Sequence, residues 1–244
     1  MSKIELYRQN LRSLRNWDAF LMQESGLPGP RGNLELAQAV ADEGDLALFE
    51  RYAALDADQA PTNSPTEFLT VCGVIGLGRL LAEGQTGLMP ELRRLASDRR
   101  WRTREAVAMA LQRLGDANMH GLLVEMQVWA QGNFLEQRAA AAALCEPRLL
   151  KQPEHTRIVL TILDAITLSI LQSVDRQGEA FQALRKGMGY CWSVAVAALP
   201  AEGKPMLERW LAVDDKDIRW IMKENLKKNR LVRLDPDWVE RWRF

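Results

Sequence analysis

The chain has 244 residues, with 32 Lys and Arg against 32 Asp and Glu, so its formal net charge is zero. Apolar residues make up 47% and charged residues 26%, a globular composition that excludes a disordered chain. Neutrality excludes a protein that coats nucleic acid with its whole surface, but it leaves local patches open.

Residues 2–24 place Ile4, Leu6, Leu11, Leu14, Trp17, Phe20 and Leu21 near a helical period and predict one amphipathic helix. The segment 27–33, Leu-Pro-Gly-Pro-Arg-Gly-Asn, breaks it. Two short helices follow at 34–43 and 45–55, around Gly44, and 56–66 is a polar loop. Ser64, Pro65 and Glu67 form a helix start in which serine caps, proline opens the first turn and glutamate reaches back. That helix runs to about Ala82 and stops at Glu83-Gly84. Gly73, Gly76 and Gly78 within it fit no phosphate-loop spacing and predict close helix packing instead. Further helices are predicted at 88–96, 101–114, 118–131, 134–145, 153–175, 178–186, 190–199, 203–213, 217–228 and 236–243. No segment alternates in the manner of a strand, so the expected class is all-α.

Three segments place an arginine seven residues before an apolar residue, with small or apolar residues between: Arg104–Leu111, Arg138–Cys145 and Arg219–Leu226. Trp192–Leu199 repeats the pattern with Trp in the arginine's place. The alanines permit close helix approach, and each arginine is expected to bond carbonyls or an aspartate of an adjacent turn. Asp98 before Arg104, and Asp214, Asp215 and Asp217 before Arg219, complete a pattern that resembles the HEAT repeat of α-solenoids. Positions 104, 138, 192 and 219 are unevenly spaced, so the array is HEAT-like and not uniform. The resemblance implies an α-α superhelix over 85–244, one continuous domain capped by a helical region over 1–84.

Three segments are also similar to the DNA alkylation repair family of HEAT-like DNA glycosylases. They are Trp101-Arg-Thr-Arg104-Glu105, Asn133-Phe134-Leu-Glu-Gln137-Arg138-Ala and Lys186-Gly-Met-Gly189-Tyr190 followed by Asp217-Ile-Arg219. This resemblance implies DNA binding in a basic groove and removal of alkylated bases by an aspartate beside aromatic residues. The chain departs from it in three places. Gly115–Gly132 leaves room for one helix where the aspartate-bearing pair belongs, Gln137 replaces an arginine, and Tyr190 replaces a tryptophan.

The other candidate chemistry is sparse. Cys72, Cys145 and Cys191 are too few and scattered for a disulfide framework or a metal site. His120 and His155 are the only histidines, and both read as surface residues. No cofactor or metal is expected, and the absence of a leader or a clean apolar span predicts a cytoplasmic protein that does not use a membrane. Charge is uneven. Residues 35–67 are acidic, whereas 91–104 (six arginines) and 216–233 (seven basic residues) are basic. In a solenoid the second helices of successive repeats line the concave face, so Arg102, Arg138 and Lys223 are expected to converge on a basic groove. Trp101, Trp129, Tyr190 and Trp192 adjoin those positions and are candidate stacking or anchoring residues. The function expected is non-enzymatic binding of a protein or nucleic acid through that face. The alternative is a divergent alkyl-base DNA glycosylase.

Overall fold

Helices account for the whole of the regular structure. The computed structural model describes residues 2–242; Met1, Arg243 and Phe244, including the end of the helix expected at 236–243, lie outside the described residues. The described chain is all-α and contains no strand. It divides into two compact units, Met1–Ala117 and Asn118–Phe244.

Unit 1 contains α1 (Lys3–Ser13), α2 (Asp18–Glu24), α3 (Leu34–Glu43), α4 (Leu46–Ala53), α5 (Pro65–Ala82), α6 (Met89–Leu95) and α7 (Trp101–Ala117). The helix expected over 2–24 is two helices. The chain turns out of α1 at Leu14, where the Trp17 indole N–H donates to the Leu11 carbonyl, and the Asn16 side chain accepts from the Asp18 N–H as α2 begins. Helix α5 starts as its sequence predicts, with Ser64 Oγ accepting from the Glu67 N–H at 3.2 Å. It is long and apolar enough to cross a membrane, yet it is mostly buried, because α2, α3, α4 and α7 pack around it. Its glycines make that packing possible: a Cβ on Gly76 would lie 2.3 Å from the Phe49 ring, and one on Gly78 would lie 2.4 Å from the Ala110 Cα. Helix α7, which bears the clearest repeat segment, therefore belongs to the core of unit 1.

Unit 2 contains α8 (Met119–Trp129), α9 (Phe134–Leu144), α10 (Pro153–Gln172), α11 (Glu179–Ala198), α12 (Pro200–Leu211), α13 (Lys216–Leu226), α14 (Asn229–Leu234) and α15 (Pro236–Arg241). Helix α11 lies between α9 and α13 and also touches α14. Behind it, α10 contacts α8 and α12. The helices expected separately at 178–186 and 190–199 are one helix. Gly187 and Gly189 do not break it, because each faces a neighbouring helix and packing outweighs glycine's poor helix propensity. Asn118, Asn133, Asp215 and Asp235 cap α8, α9, α13 and α15 through their side chains.

The role expected of the repeat arginines is met at two of them. Arg104 donates to the carbonyls of Asp98 and Arg99 at 2.7 and 2.9 Å, and Arg219 pairs with Asp214 at 2.6 Å.

Candidate functional site

The seven residues expected to form one groove separate into three environments. Trp129 and Trp192 are core side chains, 1% and 0% exposed, so neither contacts a partner. Their large apolar rings are best placed away from water, and the Trp192 N–H is satisfied by Thr167 Oγ1 at 3.0 Å. Arg102 is also withdrawn. It is 8% exposed, pairs with the fully buried Glu67 at 3.1 Å, and donates to the Gly29 carbonyl and Asn63 Oδ1 at 2.6 and 3.2 Å. Its charge is engaged within unit 1, where it also lines the cavity beside Trp101. Trp101 is 45% exposed, with the Arg102 guanidinium 4.4 Å from its ring centre, and it lines a cavity within unit 1.

Arg138, Tyr190 and Lys223 all lie in unit 2, on the neighbouring helices α9, α11 and α13. A helix advances about 100° per residue. Gly187 and Gly189 therefore point to opposite flanks of α11, and Lys186 and Tyr190 lie in the arc between them. A Cβ on Gly187 would stand 3.3 Å from Arg138 Cγ on α9. One on Gly189 would stand 3.2 Å from Glu224 Cβ and from the Trp220 ring on α13. Met188, in the opposite arc, is buried, whereas Lys186 and Tyr190 are exposed. The exposed stripe of α11 is thus bordered by Arg138 on one side and by Trp220 and Glu224 on the other, with Lys223 beside them on α13 in sequence.

This face is built around its aromatic rings. The Tyr190 hydroxyl accepts from Arg230, whose guanidinium lies 4.6 Å from the ring centre, and the Lys228 ammonium lies 6.0 Å from it. The Arg185 guanidinium covers Trp220 at 3.8 Å and pairs with Asp217 at 2.8 Å. Arg176 binds Asp215 and Asp217 at 2.7 and 3.1 Å, locking the start of α13 to the loop before α11. Burial pushes the Asp215 carboxyl up. The Ile218 N–H, Arg176 and the Asp217 N–H outweigh that and hold it below the ordinary carboxylate range. Both Asp215 and Asp217 are engaged in ion pairs within unit 2. On α13, Lys227 pairs with Glu224 at 2.5 Å. Lys186 and Lys223 have no acidic partner among the described residues.

Of the residues that complete this face, Lys186, Trp220 and Arg230 had not been singled out for it from sequence. Lys186 stands four residues before Tyr190, a spacing that places both on one helix side. Arg230 lies on α14, a helix for which no signal had been read.

Among the described residues no three His, Cys, Asp or Glu side chains sit together as metal ligands. All three cysteines are buried, and burial pushes the Cys145 thiol well up, beside Cys191. His120 is exposed and His155 half-buried. Compared with known proteins, the chain matches no family, and no curated protein is similar to it.

Proposed function

We propose that unit 2 is a short HEAT-like helix-pair array that binds an anionic macromolecule, in the first place a nucleic-acid backbone, through the face of α9, α11 and α13. The observation that carries this reading is the placement of Arg138, Lys186, Tyr190, Lys223 and Arg230 on the adjacent helices α9, α11, α13 and α14, with the Tyr190 ring exposed among them. Lysines without acidic partners supply attraction to phosphates, and Tyr190 supplies a stacking surface. The similarity of Asn133–Arg138 and Lys186–Tyr190 to HEAT-like DNA glycosylases supports the same assignment of this face. Binding is the whole of the function in this reading, because the nearest carboxylates are committed to Arg176, Arg185 and Lys227.

A fluorescence-anisotropy titration with a duplex oligonucleotide at several salt concentrations tests it. Affinity is expected to fall linearly on a log–log plot of binding constant against salt, by about 0.9 per phosphate neutralised. Binding that ignores salt, or is absent at low salt, overturns the reading. The glycosylase alternative predicts base release from methylated DNA in the same samples.

A further inference from the structure

Unit 1 contains a second feature, a cavity of about 290 Å³ walled by Leu34, Phe68, Val71, Trp101, Ala106 and Met109. Its wall on the loop side is pinned at both ends. The Gly29 carbonyl accepts from Arg102 at 2.6 Å, and the Asn33 side chain donates to Tyr7 Oη and the Glu24 carbonyl at 2.9 and 2.8 Å. The cavity is therefore preformed, as small-molecule sites are.

We propose that this cavity binds a neutral, flat aromatic molecule of one or two rings. Size sets the upper bound. An apolar cavity of about 150 Å³ accepts benzene, and this one is roughly twice as large, which suits an indole-sized bicycle.

Charge sets the neutrality. Arg102 lines the cavity, yet Glu67 already balances its charge through one terminal nitrogen, and Gly29 and Asn63 accept from the other. Arg31 and Glu105, the other charged residues of the lining, are of opposite sign. A ligand carrying a net charge would lose its hydration against surrounding charges (Arg31, Glu105, Arg102 and Glu67) that sum to zero.

The lining selects aromatic over aliphatic ligands. Trp101 is held against the Arg102 guanidinium, Phe68 contributes a second ring, and the Met109 thioether favours ring edges. Trp101, Glu105 and Met109 recur every four residues along α7, so one helix stripe supplies an entire wall.

The test is a ¹⁹F NMR titration of the full chain with 5-fluoroindole, followed by competition with unlabelled compounds. Saturable one-site binding is expected, with indole competing at least tenfold better than indole-3-acetate or cyclohexanol. Leu34→Glu should weaken binding at least tenfold. Leu34 is half-exposed in the first turn of α3, where an acid is tolerated, so the variant should keep the wild-type melting transition. Met109→Glu is a second wall variant with the same expected loss. Leu6→Glu changes an equally exposed leucine on α1, away from the cavity, and should leave binding unchanged. Absence of saturable binding, equal competition by cyclohexanol, or an equal loss in Leu6→Glu overturns the proposal.

Discussion

The six arginines of residues 91–104 and the four lysines and three arginines of residues 216–233 read alike as charge runs, yet the structure turns three residues of the first run inward and buries none of the second. Arg100, 1% exposed, donates to Asp98, to Thr70 and to the carbonyls of Leu55, Asp56 and Ala60. Arg102 binds Glu67, and Arg104 binds two carbonyls of the turn before its helix. In the second run Lys223, Lys228 and Arg230 are half-buried, and Lys216, Arg219, Lys227 and Arg233 are exposed. The buried arginines are set apart by the acceptors around them, since Arg219, Arg230 and Arg233 of the second run stay unburied. A guanidinium presents five donors in a planar fork and can satisfy several buried acceptors at once, whereas an ammonium is a compact, strongly hydrated charge. An arginine-rich run can become scaffolding; a lysine-rich run stays in water, where it can meet a partner.

The sharpest way to break this contrast is Arg102→Ala. It leaves the Glu67 carboxylate fully buried without its cation, and a broken buried pair costs about 3–5 kcal/mol. Urea denaturation should report that loss, whereas Lys223→Ala should stay within about 0.5 kcal/mol of wild type. Replacing both Arg102 and Glu67 by Met should recover most of the stability, because no uncompensated charge remains. A double variant as unstable as the single one would show that the charge pair is not the source of the cost.

Charge reversal probes the other half of the comparison. Lys186→Glu with Lys223→Glu should lower duplex binding at least tenfold, or about 1.4 kcal/mol, and reduce the salt slope by about 2. Arg94→Glu, an exposed site in the first run where Arg94 already pairs with Glu91, should change neither by much. Equal losses from both would mean that binding depends on overall charge, and the unit-2 face would lose its standing.

Much of the architecture was legible in the sequence because helix caps and apolar periods are local signals. Ser64-Pro65 and Asn133 begin helices where their sequence predicts, and Gly76 and Gly78 admit the close neighbours expected of them. The site was legible only in part. Arg138 was singled out by a repeat pattern, which carries register, whereas Tyr190 came from a family resemblance and Lys223 from a basic run. Arg102, Trp129 and Trp192 were misplaced because sequence spacing gives a helix face but not what covers it. The arginine at 102 has its partner, Glu67, 35 residues away on α5, and no local signal announces such a pairing.

A smaller effect is expected at Glu43. Its hydrogen bonds from Arg12, then from Arg8, outweigh burial and hold the carboxyl down to about 2, against an ordinary value of 4.5. The folded value is depressed, so the stability it contributes is fully present above pH about 4.5 and is lost as pH falls toward 2. Urea midpoints of wild type and Glu43→Gln should therefore differ at neutral pH and converge over that window. A difference that persists unchanged at pH 2 would show that the carboxylate charge is not what Arg8 and Arg12 recognise. Here the unit-1 arginines pair with a unit-1 carboxylate at the surface, in contrast to the buried Arg100 and Arg102.

The smallest expected effect lies at the two glycines that shape the unit-2 face. A Cβ on Gly187 meets only Arg138 Cγ, at 3.3 Å, a flexible side-chain atom able to shift by a few tenths of an ångström. Alanine relieves about 1 kcal/mol of glycine's helix penalty, so Gly187→Ala should be neutral or stabilising by up to that amount. Gly76→Ala in unit 1 has the same intrinsic gain but places its Cβ 2.3 Å from the packed Phe49 ring, and overpacking of that kind costs about 1–3 kcal/mol. The pair of melting curves separates two reasons for a glycine in a helix. In α5 the glycine is required by a rigid neighbour, and in α11 it leaves room for a cation on the surface. If Gly187→Ala leaves stability intact but weakens duplex binding, the displaced Arg138 is part of the binding face. If it changes neither, Arg138 contributes to that face by charge alone.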